Sequence, residues 1–308
     1  MTCRRVAKHL AGSAVIVAVL VAVSGCSIKT LAVKTVANTL SDTGDVFSRD
    51  DDPELVKDAI PFALKLYESL LESVPKHAPL LLATCSSFTQ YSYAFVEADA
   101  DIVGEARHDE AKALRERALH LYLRGRGYCL RAMDARFPKI NEALLADPVP
   151  ALAKAQKKDV PLLYWTAASW GAAISLGIDR PEIVIDLPVV RALAERALAL
   201  DDTWNKGAIH ELMIAVDSVP EALGGNPEHA RQHFERAVAL QGGQSASPYV
   251  TLATGVSVPT QNKVEFEKLL NQALAVDPEK DPSNRLATLI AQRRAKALLA
   301  QEGQRFAN

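Results

Sequence analysis

Several familiar sources of chemistry are missing from this sequence. It has no Gly-x-Ser-x-Gly turn, no Gly-x-x-x-x-Gly-Lys loop and no Gly-x-Gly-x-x-Gly fingerprint. It therefore lacks the local signatures of serine hydrolases, P-loop nucleotidases and dinucleotide-binding enzymes. His210-Glu211 is followed by Ile214 where the zinc motif H-E-x-x-H requires a second histidine. His229 and His233 are spaced i, i+4, but no acidic third ligand is evident, and the pair reads as a solvated helix face. None of the four cysteines forms a Cys-x-x-Cys pair, which argues against thiol redox chemistry or a zinc ribbon. Aromatic residues make up only 6% of the chain. No period-two alternation marks a β-strand, and the one β-branched run, Ile183-Val184-Ile185, is short and flanked by prolines.

The N-terminus, by contrast, is strongly patterned. Arg4, Arg5 and Lys8 precede an apolar run from Leu10 to Val23, which ends in Val23-Ser24-Gly25-Cys26. Positive charge, a short apolar stretch and small residues form a secretory signal. The run is short of the about 20 residues that span a bilayer comfortably. A cysteine directly after Ser-Gly marks a lipoprotein signal, with residues 1–25 removed and Cys26 lipidated. Ser27, rather than an aspartate, points to the inner leaflet of the outer membrane, facing the periplasm. Several acyl chains on one cysteine hold a protein stably, since each buried CH₂ contributes about 0.8 kcal/mol. Removing the signal leaves 32 basic against 37 acidic side chains, net −5. This mild acidity offers no footprint for nucleic acid or anionic lipid. Cys85 and Cys129 lie in apolar helical text and read as two small buried hydrophobes, although an oxidising compartment would permit them to pair.

The rest reads as helices. Residues 26–50 are expected to be a tether holding a helix over 31–40, and 51–308 a single helical domain. Asp52-Pro53-Glu54 is a helix start, with Asp as N-cap and Pro in the first turn. That helix is expected to run to Val74, kinked or restarted at Pro61. Further helices are expected over Leu80–Ala98, Asp109–Arg136, Pro161–Leu176, Pro188–Leu200, Thr203–Val216, Pro227–Leu240, Pro248–Gly255, Gln261–Val276 and Pro282–Ala300. Gly224-Gly225-Asn226-Pro227 reads as a loop and helix entry, not a phosphate cradle. A repeat supports an all-α array. Glu195-Arg196-Ala197-Leu198-Ala199-Leu200, Glu235-Arg236-Ala237-Val238-Ala239-Leu240 and Gln272-Ala273-Leu274-Ala275-Val276 are alike. Arg117-Ala118-Leu119 is a degenerate copy. The spacings, 40 and 36 residues measured at Ala197, Ala237 and Ala273, sit near the 34-residue period of tetratricopeptide repeats (TPR). The expected architecture is a TPR-like array of helical hairpins.

The few aromatics cluster. Phe88, Tyr91 and Phe95 share a helix face, and Tyr164, Trp165, Trp170 and Trp204 follow later. Core packing is one use for them. The sharper one is the lining of a ligand cavity by Phe88, Tyr91, Tyr164, Trp165, Trp170 and Trp204. Trp165 and Trp170 are roughly 140° apart on a helical wheel, so both cannot face the same way.

Taken together, the text resembles the TatT family, TPR-containing lipoproteins associated with TRAP (tripartite ATP-independent periplasmic) transporters. The resemblance is carried by Gly25-Cys26, the run Asp51 to Pro61, Tyr67-Glu68-Ser69-Leu70-Leu71, and Phe88-Thr89-Gln90-Tyr91-Ser92-Tyr93-Ala94-Phe95. It continues at Tyr122-Leu123-Arg124, Ile209-His210-Glu211, Leu223-Gly224-Gly225 and Ala230 to Ala237. It implies a helical body, a homotrimer, docking of the periplasmic substrate-binding subunit of a TRAP transporter, and a hydrophobic channel or cleft in each protomer. It implies no catalytic residue. The expectation is therefore a non-enzymatic, lipid-anchored accessory of uptake of a small hydrophobic ligand, without metal or cofactor. A TPR scaffold for assembling envelope proteins is the alternative.

Overall fold

A computed structural model describes residues 35–36 and 44–306. Cys26, the signal and all of the helix expected over 31–40 except Thr35 and Val36, which are helical, lie outside the described residues. Among those described, no strand occurs and helices dominate. The principal ones are α1 Pro53–Ser73, α2 Ala78–Tyr91, α3 Ala98–Val103, α4 His108–Arg136, α5 Val160–Leu176, α6 Leu187–Leu200, α7 Ala208–Asp217, α8 Pro227–Leu240, α9 Ser247–Leu252, α10 Lys263–Leu274 and α11 Arg285–Ala300. Consecutive helices pack side by side, giving an all-α helical array.

Proline sets many of the boundaries. Helices α1, α2, α5, α6, α8 and α9 each carry one in their first two positions, where no backbone N–H is needed. The side chain of Asp52 caps α1, accepting from the amides of Glu54 at 3.1 Å and Leu55 at 3.0 Å. Asn226 caps α8 in the same way, at 3.0 and 3.2 Å from the amides of Glu228 and His229. Helix α1 continues through Pro61 as one element. The repeated alanines Ala118, Ala197, Ala237 and Ala273 are all fully buried, as expected where helices approach closely.

The structure corrects four local expectations. Cys85 and Cys129 form a disulfide, with Cα atoms 5.3 Å apart, that joins α2 to α4; they are not free buried thiols. Close approach makes this bridge reachable. Gly125 lies against α2, where an added Cβ would meet Phe88 Cβ at 3.2 Å and the carbonyl oxygen of Cys85 at 3.3 Å. The helix expected over 203–216 is broken, because Asn205, Lys206 and Gly207 all have positive φ, and α7 starts only at Ala208. Two helices contain π-helical turns, Ser92–Glu97 after α2 and Ala253–Ser257 after α9. Within the span expected to be a tether, Gly44–Ser48 is helical and Phe47 packs on the core.

The chain also returns on itself. Leu286 and Ile290 of α11 share a core with Val56 and Leu64 of α1 and with Phe88, Phe95 and Tyr122. Gln301, just after α11, donates to the carbonyls of Asp101 and Ile102 at 3.1 Å each. The last helix thus closes against α1 and α3, and the helices leave a space between them.

Candidate functional site

That space is a cavity of about 530 Å³. Its walls come from α2, α4, α5, α6, α7, α9, α11 and both π-helical turns. The turns place Tyr93, Glu97 and Gly255 at the cavity, and such extra-residue turns recur at functional sites because they re-aim side chains. Ala168, Ala172, Ile174, Leu187, Val190 and Leu212 form an apolar lining, while Ile178, Ala215 and Pro220 are exposed at a rim.

Opposite this lining lies a polar network. Arg294 of α11 is 8% exposed. Its Nε donates to Asp101 Oδ2 at 2.6 Å, its Nη2 donates to Glu97 Oε1 at 3.3 Å, and its guanidinium stands 5.2 Å from the centre of the Tyr93 ring. The Tyr122 hydroxyl donates to Glu97 Oε2 at 2.6 Å. Burial alone would disfavour the Arg294 charge, yet Asp101, Tyr93 and Glu97 hold its pKa above the usual arginine value. Burial raises the Glu97 carboxyl against the opposing pull of Arg294. It also raises the phenols of Tyr93, Tyr122 and Tyr164, so all three stay protonated donors. On α7, burial pushes the Glu211 carboxyl up to about 7, against a smaller opposing pull from the side chains of Gln241 and Ser247.

Of the six aromatics expected at a cavity, Tyr164 and Trp165 lie in its wall. Trp204 does not line it; its ring packs behind Tyr164 at 4.8 Å. Phe88 is also absent from the wall, stacking on Tyr128 at 5.9 Å. Tyr91 packs on Phe95 at 5.8 Å, and Trp170 is 3% exposed with Arg126 over its ring at 4.9 Å. These four are core residues, so Trp165 and Trp170 do diverge as their spacing requires. Sequence reading missed Tyr93, Glu97, Glu211 and Arg294. Glu211 had a visible signal: a carboxylate inside the apolar helix Ile209–Val216.

The histidines also rearrange. His229 is exposed, but His233 is half-buried, with Nδ1 2.8 Å from His210 Nδ1. It is therefore not part of a solvated i, i+4 pair. Burial first, and then a neighbouring histidine, lowers the pKa of His210, while burial lowers that of His233 despite Asp217. No cluster suited to a metal occurs among the described residues.

Residues 49–306 match the family described as the TRAP transporter T-component. A protein of Treponema pallidum (strain Nichols), described as uncharacterized, is 30% identical over 299 residues, covering 90% of this chain and 92% of the relative. With the match spanning nearly the whole described body, the chain belongs to the TRAP transporter T-component family.

Proposed function

We propose that this T-component is a non-enzymatic docking station for the periplasmic substrate-binding subunit of a TRAP transporter, and that its cavity receives the small ligand being taken up. The observation that carries this reading is the cavity itself: a pocket of about 530 Å³ between the helices of the array, in a chain whose family associates with TRAP transport. Its volume falls in the range of small-molecule sites, roughly 300–1,000 Å³. The apolar lining fits a ligand with a hydrophobic body. The polar wall adds recognition that the expected purely hydrophobic channel would lack.

We also propose that the body is anchored in the envelope through Cys26 and faces the periplasm, a reading that the lipoprotein-like signal supports. The Cys85–Cys129 disulfide supports that placement, because such bridges persist in oxidising compartments. We further propose a homotrimer, as the family resemblance implies. Return of α11 onto α1 favours this ligand-relay reading over the scaffold alternative, since a TPR scaffold grips extended segments along an open concave face.

The test is co-elution. The chain is mixed with the TRAP substrate-binding protein of its own organism at about 100 µM, where even weak transient contacts populate. A shared peak is expected. No complex there, with capture of an outer-membrane assembly protein instead, would sink the docking proposal in favour of the scaffold.

A further inference from the structure

The charges around the cavity are unequal in number and in what they face. Three charged side chains line it: Glu97, Glu211 and Arg294. Arg294, the one base among them, is already held by Asp101 at 2.6 Å and Glu97 at 3.3 Å, and it lies face-on to Tyr93. An anionic ligand would have to displace one of those carboxylates, leaving it buried without a partner, which is among the costliest events in a protein interior.

Glu211 is in the opposite situation. It lies in the wall on α7, and the side chains that offset its burial, Gln241 and Ser247, are both uncharged. None of the ion pairs among the described residues gives it a cation. Such a carboxylate is stabilised most by a positive charge arriving from the cavity. Tyr93, Tyr164 and Trp165 belong to the same wall, and aromatic faces attract organic cations, Trp most strongly. The remaining surface, from Ala168, Ala172, Ile174, Val190 and Leu212, is apolar.

Resting on the reading that the cavity is the ligand site of this T-component, we propose that it takes a small molecule with a protonated nitrogen on an apolar body. Glu211 is the counter-charge to the nitrogen, and Tyr93, Tyr164 and Trp165 flank it. The Arg294–Glu97–Asp101 network is not an anion receptor. It is the closure of α11 against α3 and the preceding π-helical turn, and it leaves the wall with excess negative charge. Carboxylate ligands are selected against.

Three probes with one phenylethyl body separate the head groups: phenylethylamine, phenylethanol and phenylpropionate. Each is titrated into the full chain in lipid nanodiscs, followed by calorimetry and by Trp165 emission. Phenylethylamine is expected to bind at least about tenfold more tightly than the other two, the scale of one charge-assisted contact. Glu211→Gln should bring the amine down to the level of the alcohol. Ala168→Phe, which fills the cavity from α5 and leaves the Glu211 side chain unchanged, should abolish all three, and retained binding of the alcohol shows that the Glu211 variant is folded. Equal or tighter binding of phenylpropionate, an undiminished amine preference in Glu211→Gln, or no binding of any probe to the wild type would overturn the assignment. Co-elution with the TRAP binding protein is scored separately in the same samples. Its loss beside an intact amine preference would strike the docking proposal alone.

Discussion

Two seams hold the array around its cavity, and they are made differently. Between α2 and α4 the seam is covalent and close: the Cys85–Cys129 bridge, with Gly125 against Phe88 and Cys85. Between α11 and the start of the chain the seam is polar and long-range. Arg294 reaches Glu97 and Asp101, Arg293 pairs with Glu54, and Arg285 donates to the carbonyl of Arg49. The first seam responds to redox conditions and barely to salt. The second shares Glu97 and Arg294 with the cavity wall, so whatever occupies the cavity also touches the closure. Stability and ligand access are therefore tied together at the C-terminal seam and independent at the other.

The strongest way to break the polar seam is Arg294→Met. It strands Glu97 without its cation and leaves Asp101 only Arg115 at 3.9 Å, and should lower unfolding free energy by about 3–5 kcal/mol, read by urea titration. A loss below about 1 kcal/mol would mean that the seam contributes little. For the covalent seam, Cys85→Ser with Cys129→Ser should cost about 2–4 kcal/mol, mostly through the less constrained unfolded chain. The amine affinity of the cavity should stay unchanged, because the bridge lies outside the wall.

A smaller effect sharpens the cavity side. The Glu211 carboxyl is pushed up to about 7, above its ordinary unfolded value. Between those two values the folded chain binds more protons than the unfolded one, so this group lowers stability as pH rises through the window. The phenols of Tyr93 and Tyr164, which share its wall, are raised by burial and remain protonated throughout. Glu211→Gln should therefore stabilise the empty protein by about 1–3 kcal/mol at pH 8 and not at pH 4, as measured by thermal melts at both pH values. The smallest effect is expected at Glu54→Gln, which removes the exposed pair with Arg293; surface pairs of that kind contribute about 0–1 kcal/mol.

Much of the fold was legible because it is written locally. Asp52-Pro53 and Asn226-Pro227 fix helix starts through their own side chains, and the recurring alanines mark the close contacts. What was not legible depends on residues distant in the chain. Cys85 and Cys129 are 44 residues apart on separate helices, and neither carries a spacing that announces a bridge. Arg294 sits in an Arg-Arg pair, and Glu97 begins an acidic run; each looks like a solvated surface until α11 returns to α3. The aromatics misled for the same reason. Phe88, Tyr91 and Trp170 differ from Tyr164 and Trp165 only in which neighbours the array brings to them. The π-helical turns have no sequence period at all, and one of them carries Tyr93 and Glu97 into the wall.

The claim on which the rest depends is that the cavity is an occupied site in life. Native mass spectrometry of the chain purified from its own organism tests it most directly. The account predicts one small, positively ionising molecule per chain in the wild type, absent from Ala168→Phe. A wild-type chain whose mass is always that of the bare protein, or an adduct that persists unchanged in Ala168→Phe, would contradict it.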